Sequence, residues 1–128
     1  MASFLRTMLK SKLHRARVTD AQLDYPGSIG IDAELLKAAD ILPDEQVHVY
    51  NVTNGERFVT YAIEEDAGSR RVVINGAAAH LAKKGDVIII ASYAQFPDRQ
   101  ARTLKPRIVL LDAANRCHGK HPADPGGG

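Results

Sequence analysis

Gln46-Val47-His48-Val49-Tyr50-Asn51-Val52-Thr53-Asn54-Gly55-Glu56-Arg57-Phe58-Val59-Thr60-Tyr61-Ala62-Ile63 reads as two strands joined by a turn. Gln46 to Val52 alternates around Val47, Val49 and Val52, which is the period of a strand with one buried face. Asn54-Gly55 supplies the hairpin turn, because both residue types tolerate positive φ. Arg57 to Ile63 is the return strand. Tyr61 lies four residues beyond Arg57, so the two share one face, and Thr60 faces the other way in an ideal strand.

Working outward, the same short-strand grammar continues. Gly68 precedes a strand over 70–74. Asn75-Gly76-Ala77-Ala78-Ala79-His80-Leu81 is a turn leading into one short helix, and Gly85-Asp86 turns into a buried strand, Val87–Tyr93. A loop or short helix follows over 97–103, then a last strand over 106–111. Upstream, residues 3–19 are extended with imperfect periodicity. Tyr25-Pro26-Gly27 is a turn, since Pro fixes φ and Gly permits φ > 0. Ser28 to Ile31 is a short strand. Asp32 is placed to N-cap a helix through Ala39, with Pro43 as the stop. Six or more short strands in about 110 ordered residues predict a closed barrel, which removes exposed edges. The expected organisation is one mainly β domain over 1–115 with short helices, followed by a disordered tail over 116–128, where Gly and Pro replace core-forming residues.

Bulk properties narrow the function classes. The chain has 128 residues, 45% hydrophobic and 25% charged, as expected for a soluble single-core protein. A net charge of +2 makes no demand for a nucleic-acid or membrane partner. The charge is uneven, however: Arg6, Lys10, Lys12, Arg15 and Arg17 face a single acid, Asp20, in the first 20 residues. The one cysteine, Cys117, cannot close an intramolecular disulfide, which favours a reducing compartment. Val87-Ile88-Ile89-Ile90-Ala91 is too short to span a bilayer, and Arg6 and Lys10 interrupt any signal-peptide core. The expected location is cytoplasmic. His118 and His121 are an accidental pair in a Gly/Pro tail, and no metal is expected.

Several stretches recur together in one known family: Arg6–Arg15, Tyr25-Pro26-Gly27-Ser28, Asn51–Phe58, Thr60–Ile63, Gly68-Ser69, Asn75–His80, Gly85-Asp86 and Ile89–Tyr93. In their order and spacing the chain resembles the pyruvoyl-dependent aspartate 1-decarboxylases. Asp24 stands where that family often has His, Pro26 where a small, apolar or acidic residue is commoner, and Tyr50 where an aromatic, frequently Trp, lines the pocket. The resemblance implies a double-psi β-barrel, a homotetramer, and conversion of L-aspartate to β-alanine and CO2 for pantothenate synthesis. It also implies self-cleavage between Gly27 and Ser28 into a β chain, 1–27, and an α chain, 28–128. Ser28 would attack the Gly27 carbonyl, and elimination and hydrolysis would then leave a pyruvoyl group at position 28.

That group would supply the electron sink that amino-acid decarboxylation needs, and the sequence has no signature of a pyridoxal phosphate lysine. Gly27 has no Cβ to block the attack. Arg57 can bind a carboxylate with its planar fork, or can be a solvated strand arginine. Tyr61 is implied as the proton donor after CO2 leaves, against the alternative of a core tyrosine. Thr60 is implied in processing and substrate contact; its opposite parity calls for a local bulge or a contribution across a subunit interface. Asn75, Gly76, Ala77 and Ala78 form a backbone-rich turn that can approach a carboxylate closely, or a plain turn into a helix. Lys12 and His14 share parity on the first strand, where they support the pocket and processing site or simply form a solvated basic strand. Tyr25 is close enough to Ser28 to shape its surroundings, and Tyr50 keeps an aromatic in the pocket. The rival reading is an uncleaved β-barrel binding or scaffold module: either its basic first strand binds nucleic acid or another acidic partner, for which +2 is a weak charge, or an inactive relative keeps the barrel as a scaffold.

Overall fold

The computed structural model describes residues 4–120. Its elements run β1 (Leu5–Arg17), β2 (Asp20–Gln22), β3 (Ser28–Asp32), α1 (Ala33–Ala38), β4 (Gln46–Asn51), β5 (Arg57–Glu65), β6 (Val72–Asn75), a 3-10 turn (Gly76–His80), β7 (Val87–Pro97), α2 (Asp98–Ala101), β8 (Arg107–Leu111) and β9 (Cys117–Lys120). The strands form one sheet in the order β2-β6-β3-β5-β4-β7-β1-β8-β9. The pairs β1–β8, β2–β6 and β3–β5 are parallel and the others antiparallel.

Connectivity forces this sheet to roll up. β1 and β2 stand six places apart in the strand order, which in a flat sheet is about 29 Å at about 4.8 Å per strand. Only Val18 and Thr19 join them, and three Cα steps reach about 11 Å. The link is also pinned, with Val18 N–H donating to the Asp86 carbonyl and Thr19 N–H to that of Val72. The interior is filled by Leu13, Ile29, Ile31, Val47, Val49, Ile74, Ile88 and Ile90, all with 0% exposure. These come from β1, β3, β4, β6 and β7, so the alternation read in the sequence is the inward face of the rolled sheet.

Local details depart from the sequence expectation for physical reasons. The imperfect period of β1 comes from two register shifts against β7, between Leu9 and Ser11 and between Leu13 and Ala16; Arg15 in the second has φ 66°. The central hairpin is present, with Tyr50 opposite Arg57, but its turn is wider than an Asn-Gly pair. Gly55, at φ 82°, donates its N–H to the Asn51 carbonyl, and Asn51 Oδ1 accepts from Thr53 and Asn54 N–H. Helix α1 is capped by Asp32, whose carboxylate accepts Glu34 N–H and also Gly68 and Arg70 N–H. It ends at Ala38, before left-handed Asp40 (φ 54°) and well ahead of Pro43.

The tail expectation needs correction. Residues 117–120 form β9, antiparallel to β8 with Leu111 opposite Cys117. The turn into it is held by Asp112 Oδ1, which accepts Ala114 and Arg116 N–H. Asn115, buried at φ 59°, accepts Arg17 N–H and donates to the Arg17 and Arg70 carbonyls. An Asn that fills a left-handed position and satisfies three backbone groups fixes the turn between β8 and β9 here. The remainder of the expected tail, 121–128, lies outside the described residues.

Candidate active site

The Gly27–Ser28 peptide sits where an exposed loop enters a buried strand. Tyr25 to Gly27 are exposed, whereas every residue of β3 from Ser28 to Asp32 is buried. Ser28 is 3% exposed and lies opposite Asn75 of β6. Its Oγ accepts from Asn75 Nδ2 at 3.1 Å and donates to the Pro26 carbonyl at 3.3 Å. The hydroxyl is therefore held in one orientation beside the peptide that precedes it.

Gly76 seats that peptide from the other side. It is buried at φ 72°, and a Cβ there would stand 2.7 Å from both Gly27 Cα and N and 2.8 Å from the Tyr25 carbonyl oxygen. Gly27 itself has open space where a Cβ would project, and its φ is not in the positive range. Gly76 thus carries a steric requirement of its own toward this peptide. Ala77 is exposed and Ala78 packs on the core, so the turn that starts at Gly76 is small-sided throughout. It is a single 3-10 turn rather than a helix, and the dipole expected at its start is correspondingly small.

Tyr61 joins this group from the neighbouring strand. In the parallel β3–β5 ladder Ile29 pairs with Ala62, which places Tyr61 beside Ser28. Ile29 and Ala62 point into the core, so Ser28 and Tyr61 share the outer face, with Tyr61 39% exposed. Thr60 faces the core side opposite Val47, half-buried. The β4–β5 register is continuous from Gln46–Tyr61 to Tyr50–Arg57, so the bulge expected at Thr60 is absent.

Arg57 is placed elsewhere. Four residues before Tyr61, it lies about 13 Å back along β5. Its guanidinium stacks 4.0 Å over the Tyr50 ring, beside a cavity lined by His48, Tyr50, Arg57, Phe58 and Val59. Tyr50 Oη and Tyr93 Oη are 2.7 Å apart, and the His48 ring meets Tyr93 edge-on at 4.9 Å. The hydrogen bond from Tyr50, together with partial burial, holds the Tyr93 phenol above the usual tyrosine range despite the nearby Arg57 cation. Lys12 belongs to the same outer face: it lies opposite Ala91, which in turn lies opposite His48. His14 follows two residues on, beside Leu110. Tyr93 and His48 were missed as site residues because their link to Arg57 depends on the β4–β7 pairing, which no local pattern announces.

One chain therefore carries two groups on a continuous outer face. Ser28, Asn75, Gly76 and Tyr61 converge; Arg57, Tyr50, Tyr93 and His48 converge separately. Among the described residues no cluster of three or more His, Cys, Asp or Glu is arranged to hold a metal, and no helix is long and apolar enough to cross a membrane.

Residues 4–118 match the aspartate decarboxylase family. The chain belongs to that family. It is 58% identical over 111 residues to an aspartate 1-decarboxylase of Caulobacter vibrioides, covering 87% of this chain and 94% of the relative. It is 56% identical to one of Thioalkalivibrio sulfidiphilus (88% and 89% covered) and 59% to one of Syntrophobacter fumaroxidans (87% and 90%). Membership of the aspartate decarboxylase family makes the chain an enzyme, and the rolled mainly β sheet with two short helices is consistent with the family's double-psi β-barrel.

Proposed function

We propose that this chain cleaves itself between Gly27 and Ser28 and then decarboxylates L-aspartate to β-alanine. The carrying observation is the Ser28 hydroxyl, buried at a strand start and oriented by Asn75 beside a peptide that Gly76 alone leaves room for. In the cleavage, Ser28 Oγ replaces Ser28 N on the Gly27 carbonyl carbon, converting amide to ester. Elimination releases the chain ending in the Gly27 carboxylate, and hydrolysis of the dehydroalanine left at position 28 expels ammonia. The resulting pyruvoyl group supplies a carbonyl that takes up the substrate amine and the electrons released with CO2.

The surroundings fit such a group. Gly76, Ala77 and Ala78 bring small side chains to one side, and Tyr61 stands on the other with its phenol on the open face. Tyr61 is the residue placed to deliver a proton to the substrate carbon. Asn75 Nδ2, which now meets Ser28 Oγ, is placed to donate to a carbonyl oxygen at the same position. Arg57, with Lys12 as a second positive charge on that face, supplies carboxylate recognition. Because Arg57 and Ser28 lie apart in one chain, a second copy must complete the pocket, which accords with a homotetramer. The product would feed pantothenate synthesis in the cytoplasm.

Intact-mass measurement of purified protein tests the reading, with fragments 1–27 and 28–128 expected and β-alanine formed from L-aspartate. A chain that stays whole and yields no β-alanine sinks it in favour of an uncleaved barrel module. Tyr61→Phe is expected to cleave normally while turnover falls by about 10²- to 10⁴-fold, the usual range for loss of a positioned acid; equal loss of cleavage would reassign the residue. Asn75→Ala is expected to slow fragment formation by about two- to tenfold, the worth of one hydrogen bond. A gel time course after rapid purification reads that rate.

A further inference from the structure

We propose that Tyr93 is a positioning residue for substrate binding, holding Arg57 through the ring of Tyr50. This rests on reading Arg57 as the group that takes a substrate carboxylate. Three other arginines of the described chain, Arg6, Arg71 and Arg102, are neutralised by carboxylates of Asp98 or Glu65. Among the described residues Arg57, like the arginines at 15, 17, 70, 99, 107 and 116, is in no such ion pair; what sets it apart is that its face lies on the Tyr50 ring beside a cavity. A guanidinium stacked by its face keeps its N–H edges available to an anion, which is what a binding arginine needs and a structural one does not.

The stack is only as fixed as the ring beneath it. Tyr50 is half-buried on the outer face of β4, where a lone ring rocks about its side-chain torsions. Its far end is anchored by the 2.7 Å contact between the two phenol oxygens. Tyr93 is itself set by the His48 ring packed against its edge. Tyr93 thus reaches Arg57 through one hydrogen bond and one stacked ring.

The experiment compares Tyr93→Phe, Tyr50→Phe and the double variant in processed protein. Both single changes break the same hydrogen bond and keep the ring under Arg57. Each is expected to raise KM for L-aspartate about two- to tenfold, with kcat within about twofold and with fragment formation unchanged. Calorimetric affinity for succinate, which carries both carboxylates but no amine, should fall by the same factor. The double variant should be no worse than either single one, because the two share one interaction. Unchanged KM and succinate affinity in Tyr93→Phe, or effects that multiply in the double variant, would overturn the role. If Arg57→Ala also leaves both quantities unchanged, the fault lies in the reading of Arg57 rather than in Tyr93.

Discussion

Replacing Ser28 with alanine is expected to leave one intact 128-residue chain that forms no β-alanine from L-aspartate. Cleavage needs an oxygen on residue 28 to displace its own nitrogen from the Gly27 carbonyl, and alanine has none. The fold should survive. Ser28 is buried at 3% exposure, and alanine differs from it by one atom, so no cavity larger than a hydroxyl results. What is lost is the pair of hydrogen bonds to Asn75 and Pro26, leaving the Asn75 amide short of a partner at a cost of about 1–3 kcal/mol. A melting curve should therefore show a cooperative transition at modestly lower temperature, while intact mass shows no fragment. Any cleavage between 27 and 28, or turnover by the uncut chain, would remove Ser28 from the chemistry.

Gly76→Ala is expected to slow cleavage by tenfold or more without abolishing the barrel. Two penalties combine. A residue with a Cβ at φ 72° costs about 1–2 kcal/mol in the left-handed region. The Cβ would also stand 2.7–2.8 Å from three backbone atoms of Tyr25 and Gly27, none of which can swing aside as a side-chain tip would. The 25–27 segment must move, and with it the peptide that Ser28 attacks. A displacement that raises the barrier by about 1.4 kcal/mol already gives the tenfold effect. Gly55→Ala is the control: its φ is 82°, but nothing lies within 4 Å of the new Cβ, so it carries the backbone penalty alone. Destabilisation in both variants, larger in Gly76→Ala, with slow fragment formation only in Gly76→Ala, is the expected outcome. Cleavage of Gly76→Ala at the parent rate would show that the contact does not govern the peptide.

Much of the fold was legible because strand period and burial coincide. Val47 and Val49 are inward and fully buried as their alternation implies, and Asp32 caps its helix as its position before Ala33-Glu34-Leu35-Leu36 implies. Three features escaped. The strand β9 follows a turn whose only signals are Asp112 and Asn115, and its own residues, Cys117-His118-Gly119-Lys120, are poor strand formers; pairing with β8 supplies what propensity lacks. The bulges of β1 blur its period, so its register was readable only against β7. The separation of Arg57 from Ser28 follows from the β3–β5 register, which sets Ser28 beside Tyr61 and so about 13 Å along the strand from Arg57, and that register could not be inferred from the spacing of Arg57, Thr60 and Tyr61.

The Gly27–Ser28 junction shows where the two levels divide. Local chemistry is written in residue identity: a hydroxyl beside a glycine carbonyl, an arginine and a tyrosine sharing one strand face, and the motifs that place the chain in its family. Those follow from covalent structure and a two-residue period, which are local. Which glycine the cleavage-site peptide packs against, which side chain orients Ser28 Oγ, and what anchors the ring under Arg57 depend on contacts between residues 43 to 51 positions apart. Such contacts exist only once strands distant in sequence have paired: β3 with β6 sets Asn75 opposite Ser28, and β4 with β7 brings Tyr50 to Tyr93.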